Sequence, residues 1–104
     1  MPKTGEIYFL DQPRLRQSTH GHPCLVVWIS GKEASVNFIS SKFDHFRDGK
    51  DFAIYDHMQE FGATGLTTSS YLISGALKDV STDKLIPDDK YGEVTGALKS
   101  AIEE

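Results

Sequence analysis

Hydrophobic residues in this chain occur in short runs separated by polar and glycine-containing segments, a pattern typical of β-structure. Residues 5–10 (GEIYFL) are rich in strand-forming side chains and predict a first strand. Residues 22–30 predict the strongest strand, because their apolar run is continuous enough to be buried on both faces. A turn signal at residues 30–33 precedes an alternating segment at 34–40, so these two strands are expected to form a hairpin.

The second half of the chain carries weaker strand signals. A short strand is predicted at residues 51–55, and residues 62–65 (GATG) break the chain again. Residues 70–80 predict either one bent strand or two short strands around Ser74-Gly75, because glycine inside a strand often marks a bend. Residues 11–21 and 41–50 are polar connections, and loops as long as the first are usually functional or mobile.

The C-terminus has the periodicity of a helix rather than of a strand. Residues 85–89 (LIPDD) predict the helix entry, with an acidic pair near the N-terminus. Apolar side chains then recur at intervals of three and four, at Tyr91, Val94, Leu98, Ala101 and Ile102. Gly92 and Gly96 each cost roughly 1 kcal/mol relative to alanine, so packing must hold this helix. The fold predicted is one mostly β domain, an SH3-like or OB-like barrel, with a C-terminal amphipathic helix.

Length, composition and charge narrow the function classes. The 104 residues suit one domain with one core. The longest apolar run has five residues, whereas a bilayer needs about twenty, and the N-terminus lacks a secretory signal. Cys24 is the only cysteine, which excludes an internal disulfide and favours a cytoplasmic location. Residues 1–50 carry seven Lys/Arg and five Asp/Glu, and residues 51–104 carry four and ten, so a polyanion is expected to meet the N-terminal half.

Three potential metal ligands, His20, His22 and Cys24, alternate at the start of the second strand. Alternation would place them on one face, as zinc ligands require, but Pro23 interrupts the set and no fourth ligand lies close by in sequence. The alternative, which we favour, is a core cysteine beside two loop histidines, with no metal or other cofactor. Burial would raise the pKa of the Cys24 thiol, which argues against nucleophilic catalysis there.

A second constellation combines cationic and hydroxyl groups. Arg14, Arg16, His20 and His22 come from the first loop, whereas Ser40, Ser41 and Lys42 end the third strand. If strands two and three form a hairpin, His22 and Ser40 lie together near its open end. Such groups suit metal-free RNA cleavage, which needs a base for the 2′-hydroxyl, an acid for the leaving oxygen and a cation for the phosphorane.

The order of these features resembles the MazF/PemK toxin family over nearly the whole chain. The resemblance rests on short segments: residues 5–8 (GEIY), 21–27 (GHPCLVV), 39–41 (ISS), 64–66 (TGL), 70–72 (SYL), 78–80 (KDV) and 91–94 (YGEV). It implies a single domain over residues 1–104 with an SH3-like barrel, usually dimeric. It also implies a toxin of a toxin–antitoxin pair that cleaves RNA and is neutralised by an antitoxin. In that reading His22, Ser40 and Ser41 are catalytic, and Arg14, Arg16, His20 and Lys42 bind RNA.

The chain departs from the family pattern at three places. The hydroxyl at the end of the third strand is usually a threonine in the family, and here it corresponds to Ser40 or Ser41. The family usually has an Arg-Pro pair where this chain has His22-Pro23, and the family's arginine is catalytic. Some members also use an arginine and an aspartate in the segment that aligns near residues 72–75, which contains neither. Histidine can act as acid, base or cation, but it lacks the permanent forked charge of arginine. The alternative is a non-catalytic protein of this fold that binds an antitoxin, gyrase or another protein target. A protein that kept the fold without toxicity is a third possibility.

Overall fold

Seven strands and a short C-terminal helix make up most of the computed structural model, which describes residues 2–10, 22–42, 46–47, 49–75 and 77–103. The strands are β1 (Glu6–Leu10), β2 (His22–Ser30), β3 (Glu33–Ser40), β4 (Phe52–Ile54), β5 (Ser70–Leu72), β6 (Leu77–Ser81) and β7 (Lys90–Glu93). The helices are α1 (Phe61–Thr64) and α2 (Gly96–Glu103), and 3-10 turns occupy Thr82–Lys84 and Pro87–Asp89. None of the helices in these ranges combines the length and the apolar character that crossing a bilayer demands. The mostly β prediction is confirmed.

The strands form one curled antiparallel sheet, a half-barrel, in the order β4-β5-β3-β2-β1-β7. β3 serves two neighbours on the same edge: its first half pairs with β6 and its last two residues pair with β5. Register shifts in the β1–β7, β2–β3 and β3–β6 pairs mark bulges, which bend strands and increase their twist. The bulges and the divided edge of β3 explain why the sheet curls. The finer assignment to an SH3-like barrel stays a prediction.

Residues 24–26 of β2 are buried on both faces, but Val27, Trp28 and Ser30 are exposed, so the prediction of burial on both faces along the whole of residues 22–30 is wrong for the last part of the strand. One core contains Tyr8, Leu10, Cys24, Val26, Ala34, Val36, Phe38, Val80 and Leu85. The other contains Ile7, Leu25, Ile39, Ile54, Leu72, Val94 and Leu98, with Ile102 of α2 packed against it. Alternate residues of β1 and β2 therefore enter different cores, and α2 covers only the second. We call these faces the Cys24 face and the Leu25 face.

The structure confirms the predicted hairpin and decides between the two alternatives for residues 70–80. β2 and β3 form the predicted hairpin, with the turn at Gly31-Lys32. Residues 70–80 divide into the two short strands β5 and β6, with a bend at Ser74-Gly75 between them. The helical segment at residues 61–64 lies where only a chain break was predicted.

The predicted helix entry at residues 85–89 is wrong. These residues include a 3-10 turn, and the following residues form strand β7, which pairs with β1. The helix begins only at Gly96, so Val94 and Leu98 are buried while Tyr91 is exposed. Gly92 explains part of the difference between the predicted helix and the observed strand. A Cβ at this position would collide with the backbone of Ala63 and Thr64. β7 is therefore shaped to receive α1, a contact that helical periodicity does not reveal.

Candidate functional site

His22 and Ser40 belong to one row of residues that crosses the sheet. Leu10 is the register partner of His22, and Ser40 is the register partner of Tyr71. Cys24 lies opposite Phe38, so continuing that register by two residues brings His22 opposite Ser40. Residues that pair directly across antiparallel strands share a face. The row His22, Ser40, Tyr71 therefore lies on the Cys24 face, as the hairpin argument predicts for the first two.

The local environment gives the two groups different roles. The half-buried His22 ring meets the ring of Phe38 edge-on, with centroids 6.0 Å apart. Ser40 is only 3% exposed, and its Oγ accepts a hydrogen bond of 3.2 Å from the backbone N–H of Lys42. Ser40 thereby shapes the turn that follows β3. Ser41 and Lys42, on that turn, are both exposed.

Three of the sequence-predicted site residues, Arg14, Arg16 and His20, lie outside the described residues. The geometry of the site therefore rests on the hairpin end alone, where His22, Ser40, Ser41 and Lys42 come together. In this group Lys42 is the one permanent cation. It has the charge that phosphate binding needs but not the two-pronged geometry of a guanidinium.

The residues predicted from the sequence did not include two aromatic residues of this site, Tyr71 in the row and Phe46 beside it. The ring of Phe46 lies 5.1 Å from the ring of Tyr71, centroid to centroid, at a tilt of 47°. Tyr71 in turn is the register partner of Ser40. The residue types at 70–72 did predict a strand. Its partner strand could not be predicted, because the local pattern does not encode long-range pairing.

An ion pair ties the segment that contains Phe46 to the end of β5. Arg47 donates to both carboxylate oxygens of Asp51, at 3.2 Å from Nε and 3.1 Å from Nη2. Its Nη2 also donates to the Oγ and the carbonyl oxygen of Ser74, and the Ser74 N–H donates to Asp51 at 2.9 Å. Burial alone would raise the pKa of Asp51, but these hydrogen bonds together lower it to about 2. The Arg47 side chain therefore links the residue next to Phe46 to Asp51 and Ser74.

Cys24 is fully buried in the core of its face. Its Sγ donates to the carbonyl oxygen of His22 at 3.3 Å, and burial raises the pKa of the thiol to about 12. This confirms the prediction of a core cysteine whose pKa is raised. Across the described part of the chain, no group of three or more His, Cys, Asp and Glu side chains is arranged to hold a metal ion.

Comparison with known proteins finds no family model that matches the chain and no match among the curated proteins. The family resemblance of the short motifs accordingly stays a prediction.

Proposed function

We propose that this protein is the toxin of a type II toxin–antitoxin pair and a metal-independent endoribonuclease that binds RNA at the row His22, Ser40, Tyr71. The observation that carries the proposal is the register that brings His22 opposite Ser40, beside the exposed Ser41 and Lys42. The proposal includes an SH3-like barrel of the MazF/PemK type, a homodimer, a cytoplasmic location and an antitoxin partner.

The residues at the open end of the hairpin have separate roles in the proposed reaction. The 2′-oxygen of RNA bonds to phosphorus as the bond from phosphorus to the 5′-oxygen breaks, leaving a 2′,3′-cyclic phosphate and a free 5′-hydroxyl. One base takes the 2′-proton and one acid protonates the leaving oxygen, and His22 serves as one of these. Lys42 and the Ser41 hydroxyl bind the phosphate. Ser40 is a positioning residue because its hydroxyl holds the Lys42 amide.

The aromatic pair gives the site a surface for a base. Single-stranded RNA is commonly bound by stacking unpaired bases on aromatic side chains, which contributes about 1–3 kcal/mol per base. Phe46 and Tyr71 lie next to the phosphate-binding turn in this scheme, since Tyr71 pairs with Ser40. The Arg47–Asp51 ion pair then supports stacking without touching the RNA.

The test is incubation of the purified protein with mixed single-stranded RNAs in EDTA. Wild type is expected to yield fragments ending in cyclic phosphate. His22→Ala should lose roughly 100-fold or more of the rate, the range for an acid–base group. The matched control is His57→Ala, because His57 is exposed and contacts the ring of Tyr55. Equal cleavage by wild type and His22→Ala, or no cleavage by either, contradicts the endoribonuclease proposal.

A second candidate function is protein binding without catalysis, acting on an antitoxin, gyrase or another target. The burial of Ser40 favours it, because a hydroxyl 3% exposed and already bonded to Lys42 presents little to a substrate. The absence of an arginine at position 22 and the acidic balance of residues 51–104 favour it too. Growth arrest on expression with cellular RNA intact, unchanged by His22→Ala, is the result expected for this function.

A further inference from the structure

A small aliphatic cleft of about 220 Å³ lies between β2, the turn at Thr4-Gly5 and α2. Leu25 and Val94 line it from the core of the Leu25 face, and both are nearly fully buried. Half-buried Ile102 of α2 lines the opposite side, and the exposed Val27 lies where the cleft reaches the surface. The cleft therefore continues the second core outward between the sheet and the helix.

Two polar side chains, Thr4 and Lys99, also line this cleft. Lys99 is half-buried and reaches over Gly5, where an added Cβ would come within 3.7 Å of its Nζ. No ion pair joins Lys99 to another residue in the described ranges. A half-buried charge is screened less by water and salt than an exposed one, so this ammonium group favours an anion in the cleft.

The main-chain groups of Gly5, which lines the cleft beside Lys99, are already paired. The Gly5 N–H donates to the Val26 carbonyl at 2.8 Å, and the Gly5 carbonyl accepts from the Val94 N–H at 2.8 Å. Recognition of a ligand at this wall therefore depends on side chains. One ammonium and one hydroxyl group suit a single carboxylate, whereas phosphate groups are commonly bound by guanidinium forks or by several main-chain N–H groups.

The volume of the cleft limits the size of the apolar part of a ligand. A dry aliphatic cavity of roughly 150 Å³ binds benzene, which has six carbons. By the same ratio, a cleft of about 220 Å³ holds roughly eight carbons. Pockets for drug-sized ligands are larger, at roughly 300–1,000 Å³. A single alkyl chain of medium length is therefore the apolar group that fits.

We propose that this cleft binds a free monocarboxylate with a medium-length alkyl chain, of which octanoate is the representative. The alkyl chain lies between Leu25 and Ile102. The carboxylate pairs with Lys99 Nζ and accepts a hydrogen bond from the Thr4 hydroxyl. Such a ligand joins α2 to β2 and stabilises the folded protein. The cleft opens from the core of the Leu25 face and the candidate RNA site lies on the Cys24 face, so the proposal does not depend on RNA cleavage.

The test is isothermal titration calorimetry of the full-length protein with sodium octanoate, at concentrations below micelle formation. We expect one saturable site. Hexanoate, with two fewer methylenes, should bind roughly 15-fold more weakly, since each buried methylene changes the affinity about fourfold. Octyltrimethylammonium, which carries the opposite charge, should give no measurable binding. No saturable binding of octanoate, equal affinities for octanoate and hexanoate, or heat released only with micelles would overturn the proposal.

Variants assign the binding to this cleft. Lys99→Met should weaken octanoate binding by roughly two- to fivefold, as for an ion pair near the surface, and leave the affinity for uncharged octan-1-ol unchanged. Lys99→Arg, which keeps the charge, should retain octanoate binding. Lys84→Met is the matched control, because Lys84 is exposed in a 3-10 turn and does not line the cleft.

Thermal unfolding gives a second readout. Octanoate should raise the Tm of wild type in a concentration-dependent way, because it binds only the folded state. The rise should be smaller in Lys99→Met and unchanged in Lys84→Met. An octanoate affinity that is the same in wild type and Lys99→Met would contradict the proposed contact, and so would an equal loss of octanoate and octan-1-ol binding in that variant.

Discussion

Replacing Tyr8 by phenylalanine tests whether a buried carboxylate network stabilises the joint between β1 and β7. The side chain of Glu6, at the start of β1, is about 10% exposed and has three partners. Its Oε1 accepts from the Lys3 N–H at 2.6 Å and from the Tyr8 hydroxyl at 3.0 Å, and its Oε2 pairs with Lys90 Nζ at 2.6 Å. Tyr8→Phe removes one donor and leaves the aromatic ring in its core.

The expected cost follows from the charge on the acceptor. Hydrogen bonds to charged groups contribute roughly 1.5–3 kcal/mol to the free energy of unfolding. Glu6 keeps the Lys3 and Lys90 contacts, so we expect the low end of that range for Tyr8→Phe, about 1.5 kcal/mol. In a domain of this size each kcal/mol lowers Tm by roughly 4–8 °C. Urea unfolding at neutral pH and thermal unfolding by circular dichroism measure both quantities.

Ionisation of Tyr8 gives the same network a signature at high pH. Burial, together with the hydrogen bond to Glu6 and its negative charge, raises the pKa of Tyr8 to about 12. Because the pKa of Tyr8 is higher in the folded state, the stabilisation that its protonated hydroxyl gives is fully present below the unfolded pKa of about 10. It is lost as pH rises from about 10 towards 12, and Tyr8→Phe should lose less stability across that window than wild type.

Tyr55→Phe is the matched control, because Tyr55 is 43% exposed and its ring stacks on His57. Its free energy of unfolding should stay close to that of wild type. If Tyr8→Phe also unfolds within 0.5 kcal/mol of wild type, a typical spread for surface substitutions, the hydrogen bond to Glu6 adds nothing and the reasoning is refuted.

Two further predictions concern the support of β5 and the contact of β7. The pKa of Asp51 is held at about 2, below the unfolded value of about 4, so its contribution to stability is present above pH 4 and lost as pH falls to about 2. Asp51→Asn should make the free energy of unfolding depend less on pH over that window. An unchanged pH dependence contradicts this prediction. Gly92→Ala should cost about 1–3 kcal/mol in urea unfolding, the range for overpacking, because its Cβ collides with the backbone of α1. Gly62→Ala, where a Cβ meets nothing within 4 Å, is the control, and equal stability of both variants contradicts the close approach.

The local pattern of the sequence was sufficient for the central hairpin and for one side of the candidate site. Continuous apolar residues in β2 predicted a strand buried on both faces, which holds for Cys24, Leu25 and Val26 but not for the exposed Val27 and Trp28. A short turn at Gly31-Lys32 then leaves little choice of pairing, because a hairpin register follows from its turn. The register at that turn, Ser30 opposite Glu33, would continue to His22 opposite Ser41, and the bulge between Val26 and Trp28 moves the pairing to Ser40. The sequence therefore predicted that His22 lies near the end of β3, and the structure decided that Ser40 is its partner.

The tertiary structure decided the other side of the site and the C-terminus. Ser40 meets Tyr71 only because β3 divides its edge between β5 and β6, a pairing across some thirty residues that no local turn specifies. Residues 90–93 have the spacing of a helix, yet they form β7 because the edge of β1 offers backbone partners, as in the 2.8 Å bond from Val94 N–H to the Gly5 carbonyl. Periodicity reports which side chains are buried along one segment. Which backbone edges remain to be paired depends on where every other strand has gone.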